Sequence, residues 1–228
     1  MNQKLTYLFS ISYFFIALIV ISIKLIGLDY LENIFKPLLL ILLMIWYFSN
    51  TNKSAQKLNL AFLLALFFSL LGDVFLMPYF DNFILGLVFF LISHLFYIRV
   101  FVAGNGNSIL PIFKQSPIFL IGILSIFIGL LSVLLPSVFG LNSLVLKFAV
   151  PLYALVLVLM VLSAFVYSRI HLVHSGRLVL LGGLLFLVSD SLLALNKFSF
   201  EIPNSPFWVM GTYVMAQWFI VFGWMKSK

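Results

Sequence analysis

Apolar runs about long enough to cross a bilayer follow one another through nearly the whole chain, separated only by short polar or Pro/Gly breaks. They read near 5 to 26, 35 to 49, 58 to 79, 83 to 103, 117 to 135, 148 to 168, 177 to 198 and 206 to 225. A hydrocarbon core of ~30 Å takes roughly 20 apolar residues per helix, so 228 residues hold about eight spans and leave no room for a soluble domain. With 64% hydrophobic and 8% charged residues, the chain also lacks the polar surface to clothe a water-soluble globule. The expected fold is all-α: a polytopic transmembrane helix bundle of about eight helices in a single membrane domain, 1–228.

The first run is too long for the core of a signal peptide and lacks a small-residue cleavage pattern, so it is expected to be a retained helix. No cysteine is present, which removes disulfides and thiolate chemistry from consideration. The net charge of +7 does not point to nucleic acid, because the basic residues are scattered through short loops beside apolar runs. With the N-terminus in the cytoplasm, that side receives Lys4, Lys53, Lys57, Arg99, Lys114, Arg169, Arg177, Lys226 and Lys228. Lys24, Lys36, Lys147 and Lys197 fall outside, a nine to four split that predicts both termini cytoplasmic in the cell membrane. Asp29, Glu32, Asp81 and Glu201 are then expected outside, leaving Asp73 and Asp190 as the acids within helices. The tightest connection is expected between Pro78 and Asn82, making the third and fourth spans an antiparallel hairpin.

Two ordered halves are visible, 1–115 and 116–228. Lys36-Pro37-Leu38 opens the second span as Val150-Pro151-Leu152 opens the sixth, and Leu71-Gly72-Asp73-Val74-Phe75-Leu76 matches Val188-Ser189-Asp190-Ser191-Leu192-Leu193. Tyr97 and Tyr213 follow their aspartates by 24 and 23 residues. Membrane proteins built from repeats often hold their site where the repeats meet.

A carboxylate at the centre of a bilayer costs roughly 2.5 to 3.5 kcal/mol even on the lenient insertion scale, so Asp73 and Asp190 are expected to face the bundle interior at similar depth. Two carboxyls facing each other at low dielectric do not both ionise easily, and such a pair can hold an acid and a base together. Lys36 at the mouth of the second span is placed to bias whichever aspartate it reaches. A plainer role is also open, in which the aspartates fasten helices through Lys36 or Lys197. His94 lies near mid-depth in the fourth span, with Gln217 in the corresponding part of the eighth; Tyr153 and Tyr213 are placed to line a cavity. Asp73, His94 and Asp190 make a weak ligand trio, and no metal or other cofactor is assigned. His171 and His174, beside Arg169 and Arg177, read as facing lipid phosphates. No Gly-x-Ser-x-Gly elbow, His-Glu-x-x-His helix or phosphate-binding glycine loop occurs.

Taken in order, the residues resemble a known family. They run Lys36-Pro37, Gly72-Asp73, Gly86-Leu87-x-Phe89-Phe90-x-x-Ser93-His94-x-x-Tyr97, and Pro151-x-Tyr153. Gly183-x-x-Phe186 follows, then Ser189-Asp190-Ser191-Leu192-Leu193-Ala194-x-x-Lys197-Phe198 and Tyr213-x-x-Ala216-Gln217. This set is similar to the YhhN-like lysoplasmalogenases, eight-span membrane enzymes. The resemblance implies hydrolysis of the vinyl ether bond of a lysoplasmalogen to a fatty aldehyde and a glycerophospho-alcohol, with Asp73 and Asp190 catalytic and Lys36, His94, Tyr97, Tyr153, Lys197, Tyr213 and Gln217 binding substrate or supporting them. A lysophospholipid and the bilayer are the implied partners. The alternative from the residues alone is a proton-coupled transporter or lipid-binding permease using the same buried acids.

Because the chain has no cysteine, single cysteines report topology without background. A membrane-impermeant maleimide on intact cells is expected to modify Asp81→Cys and to spare Lys114→Cys until the membrane is opened; the reverse pattern inverts the orientation.

Overall fold

The computed structural model of the chain describes residues 3–50, 56–103, 114, 116–171 and 174–226. Lys53 and Lys228 of the charge count lie outside the described residues. Within them are eight helices and no strands: α1 Gln3–Ile26, α2 Asp29–Asn50, α3 Gln56–Leu76, α4 Phe83–Val102, α5 Pro117–Gly140, α6 Leu144–Ile170, α7 His174–Phe198 and α8 Ser205–Lys226. All eight are long and apolar enough to cross a membrane.

Local chemistry sets the breaks. Gly27 takes φ +77°, a left-handed conformation that costs glycine little, and the Leu28 N–H then donates to the Ile23 carbonyl at 3.1 Å to close α1. Helix α2 starts at once with Asp29 and Glu32 in its first turn, where acids suit the helix N-terminus. This overturns two expectations. The second helix begins six residues earlier than the hydropathy break at 35, so Glu32 is a helical residue, only 1% exposed, rather than an outer-loop acid. The tightest connection is also this one, not Pro78 to Asn82, since a positive-φ glycine needs only two linking residues. Pro37 and Pro151 lie inside α2 and α6 rather than at their openings. The hairpin between α3 and α4 is present, and Asn82 caps α4 by accepting from the Leu85 N–H at 3.1 Å.

The helices pack in sequence around a closed ring, α1–α2–α3–α4–α6–α7–α8 and back to α1, while α5 leans on the outside against α6 and α7. Accordingly α5 is the least buried of the eight helices and α6 the most. The C-terminal ends of α2, α4, α6 and α8 and the start of α3 bring together Tyr47, Phe62, Phe101, Tyr167 and Trp224. Phe62 and Trp224 stack at 5.5 Å, and the indole N–H of Trp224 donates to the Tyr47 hydroxyl at 3.3 Å. This aromatic plug fills one end of the ring. At the opposite ends of α2 and α3 lie Glu32, Lys36 and Asp73.

Close helix approach depends on glycine at α7–α8. A Cβ on Gly182 would meet the Ala216 carbonyl oxygen at 2.8 Å and the Ile220 backbone nitrogen at 2.9 Å, atoms that cannot rotate away. Gly182→Leu is expected to destabilise the bundle by about 2 kcal/mol, in the range for overpacked cores. Gly122→Leu on α5, where a Cβ meets nothing within 4 Å, is expected to be neutral. Unfolding in mixed micelles measures both.

Candidate active site

Four charged side chains form a row at the open end of the ring. Lys24 of α1 contacts Glu32 of α2 at 2.7 Å, Lys36 lies one turn on and 3.4 Å from the same Glu32 oxygen, and Lys36 is also 3.4 Å from Asp73 of α3. Only the Lys24 side chain keeps notable exposure, at 24%. Two cations and two acids balance, which is the condition for holding charge away from water. The row ends on Tyr213 of α8, whose hydroxyl donates to Asp73 Oδ2 at 2.6 Å.

Below Tyr213 the polar contacts continue without formal charge. The Gln217 amide donates to the Tyr213 hydroxyl at 3.3 Å and to Ser69 Oγ at 3.1 Å, while the Tyr97 hydroxyl donates to Gln217 Oε1 at 2.8 Å. Ser69 and Ser93 share a 2.7 Å hydrogen bond, and Ser93 donates to the Ala65 carbonyl. The network fixes the Tyr213 ring from beneath, since its hydroxyl accepts from Gln217 while donating to Asp73.

Asp190 has different company. The Tyr153 hydroxyl of α6 donates to Asp190 Oδ2 in a short hydrogen bond, and His94 Nε2 of α4 stands 3.8 Å from that oxygen. His94 Nδ1 bonds the Phe90 carbonyl, which can only accept, so Nδ1 carries the proton and Nε2 is the side turned toward Asp190. Phe186 packs on the His94 ring edge-on at 4.7 Å. Among the described residues no lysine or arginine forms an ion pair with Asp190.

Both aspartates line one cavity of about 270 Å³, together with Lys24, Lys36, Tyr213, Asn196 and Lys197. Asp73 sits in the last turn of α3 and Asp190 two turns before the end of α7. Each lies roughly 25 Å along its helix from the other end, at ~1.5 Å per residue.

The residues singled out in the sequence thus converge, with graded proximity. Lys36, Tyr213, Tyr153 and His94 contact an aspartate; Gln217 and Tyr97 act one and two bonds back. Lys197 is at the cavity mouth, exposed and 5.7 Å over the Phe83 ring. The His171 ring lies 4.3 Å from that of Tyr167, tilted by 35°, away from the cavity. Among the described residues no three His, Asp or Glu side chains group as a metal site. Sequence reasoning missed Glu32 and Lys24. The i, i+4 spacing of Glu32 and Lys36 was the available signal, but it counts only once both are on one helix.

The chain belongs to the YhhN family, the family of lysoplasmalogenases: the family's model matches residues 31–224, from the second helix to the end of the eighth. No solved structure matches the chain significantly.

Glu32 is the acid shared by Lys24 and Lys36, so removing its charge leaves two cations facing each other. Glu32→Gln is expected to cost about 3 kcal/mol, the lower end of the range for breaking a buried pair. Lys24→Met, which releases a partly solvated cation, is expected to cost less. Unfolding of the purified variants in mixed micelles tests the order.

Proposed function

We propose that this YhhN-family membrane protein is a hydrolase that cleaves the vinyl ether bond of a lysoplasmalogen, releasing a fatty aldehyde and a glycerophospho-alcohol. The observation that carries the reading is that Asp73 and Asp190 share one cavity but have unlike partners. Acid-catalysed vinyl ether hydrolysis needs that inequality: a proton donor for the alkene carbon and a standing anion for the cation that results.

Asp73, paired with Lys36 and accepting from Tyr213, serves as the anion. Asp190, with a tyrosine and a histidine and, among the described residues, no lysine in an ion pair with it, serves as the acid. Its proton goes to the alkene carbon distal to the ether oxygen, and the electrons of the double bond leave an oxocarbenium ion at the proximal carbon. Asp73 stabilises that cation and orients a water molecule onto it. The proton shed by the attacking water returns to Asp190. The hemiacetal then breaks its carbon–oxygen bond to the glycerol, its hydroxyl proton passing to the departing oxygen, and the aldehyde is left. One water is consumed and both carboxyls are restored.

The two-halves reading supports the division of roles. Where the first half has Lys36 before its proline, the second has Val150, so the second aspartate is the one without a cation. The aromatic plug supports an enzyme over a permease, since a solute crossing the ring would have to part Phe62, Tyr47 and Trp224. Lys197 and Lys24, at the mouth, are suited to the phosphate of the head group.

Purified protein given a lysoplasmalogen is expected to release aldehyde, and its ester analogue is not. Asp73→Asn and Asp190→Asn are each expected to lose at least about 100-fold, the lower range for a general acid or base. Tyr213→Phe is expected to lose about tenfold, the worth of one hydrogen bond to a charged group, and Tyr153→Phe about as much, because its hydroxyl meets the carboxylate that Asp190 becomes as it gives up its proton. No aldehyde from the wild type, or undiminished release by both asparagine variants, would sink the proposal, and unaltered substrate accumulating in sealed vesicles would favour transport.

A further inference from the structure

A second pocket lies beside the first. It runs between α4, α5, α6 and α7, and apart from Tyr153, Asp190 and Ser191 its lining is apolar, including Leu87, Leu130, Leu134, Val150, Leu157 and Ala194. Asp190 belongs to the walls of both pockets, as do Phe90 and Leu193. A molecule bridging them would therefore pass Asp190 at the point where its surroundings change from polar to apolar.

The pocket also falls on a division in the packing. Most buried side chains join one continuous core, but Leu134 and Val138 of α5 and Val150 of α6 form a separate small cluster, with Ala194, Leu195 and Phe198 of α7 packed against it. The free space is about 30 Å³, so a chain can enter only where a wall gives way. The wall with least to lose is α5, which has three buried residues, Ile123, Leu134 and Val138. Around it the solvent is lipid, so displacing it outward exposes apolar surface to an apolar medium.

We propose that this seam seats the single hydrocarbon chain of the substrate, admitted from the bilayer beside α5, and that its width is what selects one-chain lipids. The inference rests on the hydrolase reading, because it takes Asp190 as the point where chain meets ether. A polar head in the cavity of Lys24 and Lys197, a reactive bond at Asp190 and a chain in the seam follow one another in the order in which a lysolipid carries them. The charged row on the wall of the polar cavity does not suit a second chain.

The test uses the full chain in phosphatidylcholine nanodiscs and an ester-linked lysophosphatidylcholine bearing a diazirine in mid-chain. After illumination, labels are expected in 130–134, 150–157 and 190–198, reduced at least fivefold by excess lysophosphatidylcholine. Ala194→Phe, which fills the seam, is expected to reduce them equally while unfolding at the wild-type temperature. If that variant fails to fold, Ala154→Val, a smaller filling of the same wall, is expected to lower labelling by a probe with a bulky chain terminus more than by the plain probe. In aldehyde release, Ala194→Phe is expected to raise KM for long-chain substrate and spare a short-chain one. Labels spread evenly over the lipid-facing sides of α1 and α5, or undiminished in the filled variants, overturn the seam. Aldehyde released with labels elsewhere overturns the seam and leaves the reaction standing; labels in the seam without aldehyde from any vinyl ether leave the seat and overturn the reaction.

Discussion

Lys36 stands 3.4 Å from Glu32 and 3.4 Å from Asp73, and this shared cation decides what the open end of the ring can hold. In hydrocarbon an acid without a partner is too costly to keep. Lys36 ties α2 to α3 while Lys24 ties α1 to α2 through Glu32, so a balanced row of charge runs from the mouth to Asp73. Tyr213 carries the row onto α8, and Gln217, Ser69 and Tyr97 bind that helix to α3 and α4. The site and the helix contacts around it are therefore one network, and each side chain that tunes Asp73 also holds two helices together.

That coupling explains which residues were legible in the sequence. Asp73 and Asp190 stood out because each interrupts an apolar run, and an acid in such a run must face inward. Tyr153, His94 and Gln217 followed because each places hydrogen-bonding capacity at a depth where lipid offers none. Glu32 and Lys24 did not follow, since they flank the Gly27 break, where hydropathy alone cannot tell a residue facing the interface from one folded back over the bundle. Glu32 became visible only when α2 proved to start at Asp29, which puts it one turn before Lys36. Ser69 was hidden for another reason: a serine in a membrane helix usually satisfies its own backbone, as Ser163 does by donating to the Met160 carbonyl.

Pairings between distant helices were the least legible. The second aspartate takes its tyrosine from α6, the preceding helix, whereas the first takes its tyrosine from α8, at the other end of the chain. Counting residues from each aspartate made Tyr97 and Tyr213 counterparts, yet Tyr213 bonds Asp73 while Tyr97 bonds Gln217. The choice depends on how α8 closes the ring against α1 and α2, and no periodicity within one helix carries that information.

On the two-halves reading, the position before the helix proline is one departure from symmetry that serves two ends. In the first half it is Lys36, which lines the polar cavity and pairs with Asp73; in the second it is Val150, which lines the apolar seam and belongs to the small cluster beneath α5. A lysine at 150 would have brought a cation toward Asp190 and water into the seam. A valine removes the cation from the second aspartate and extends the apolar wall beside it. On the proposed reading these are the two requirements of a single reaction, a carboxyl free to give up a proton and a dry bed for the chain that receives it, and both follow from the same side chain.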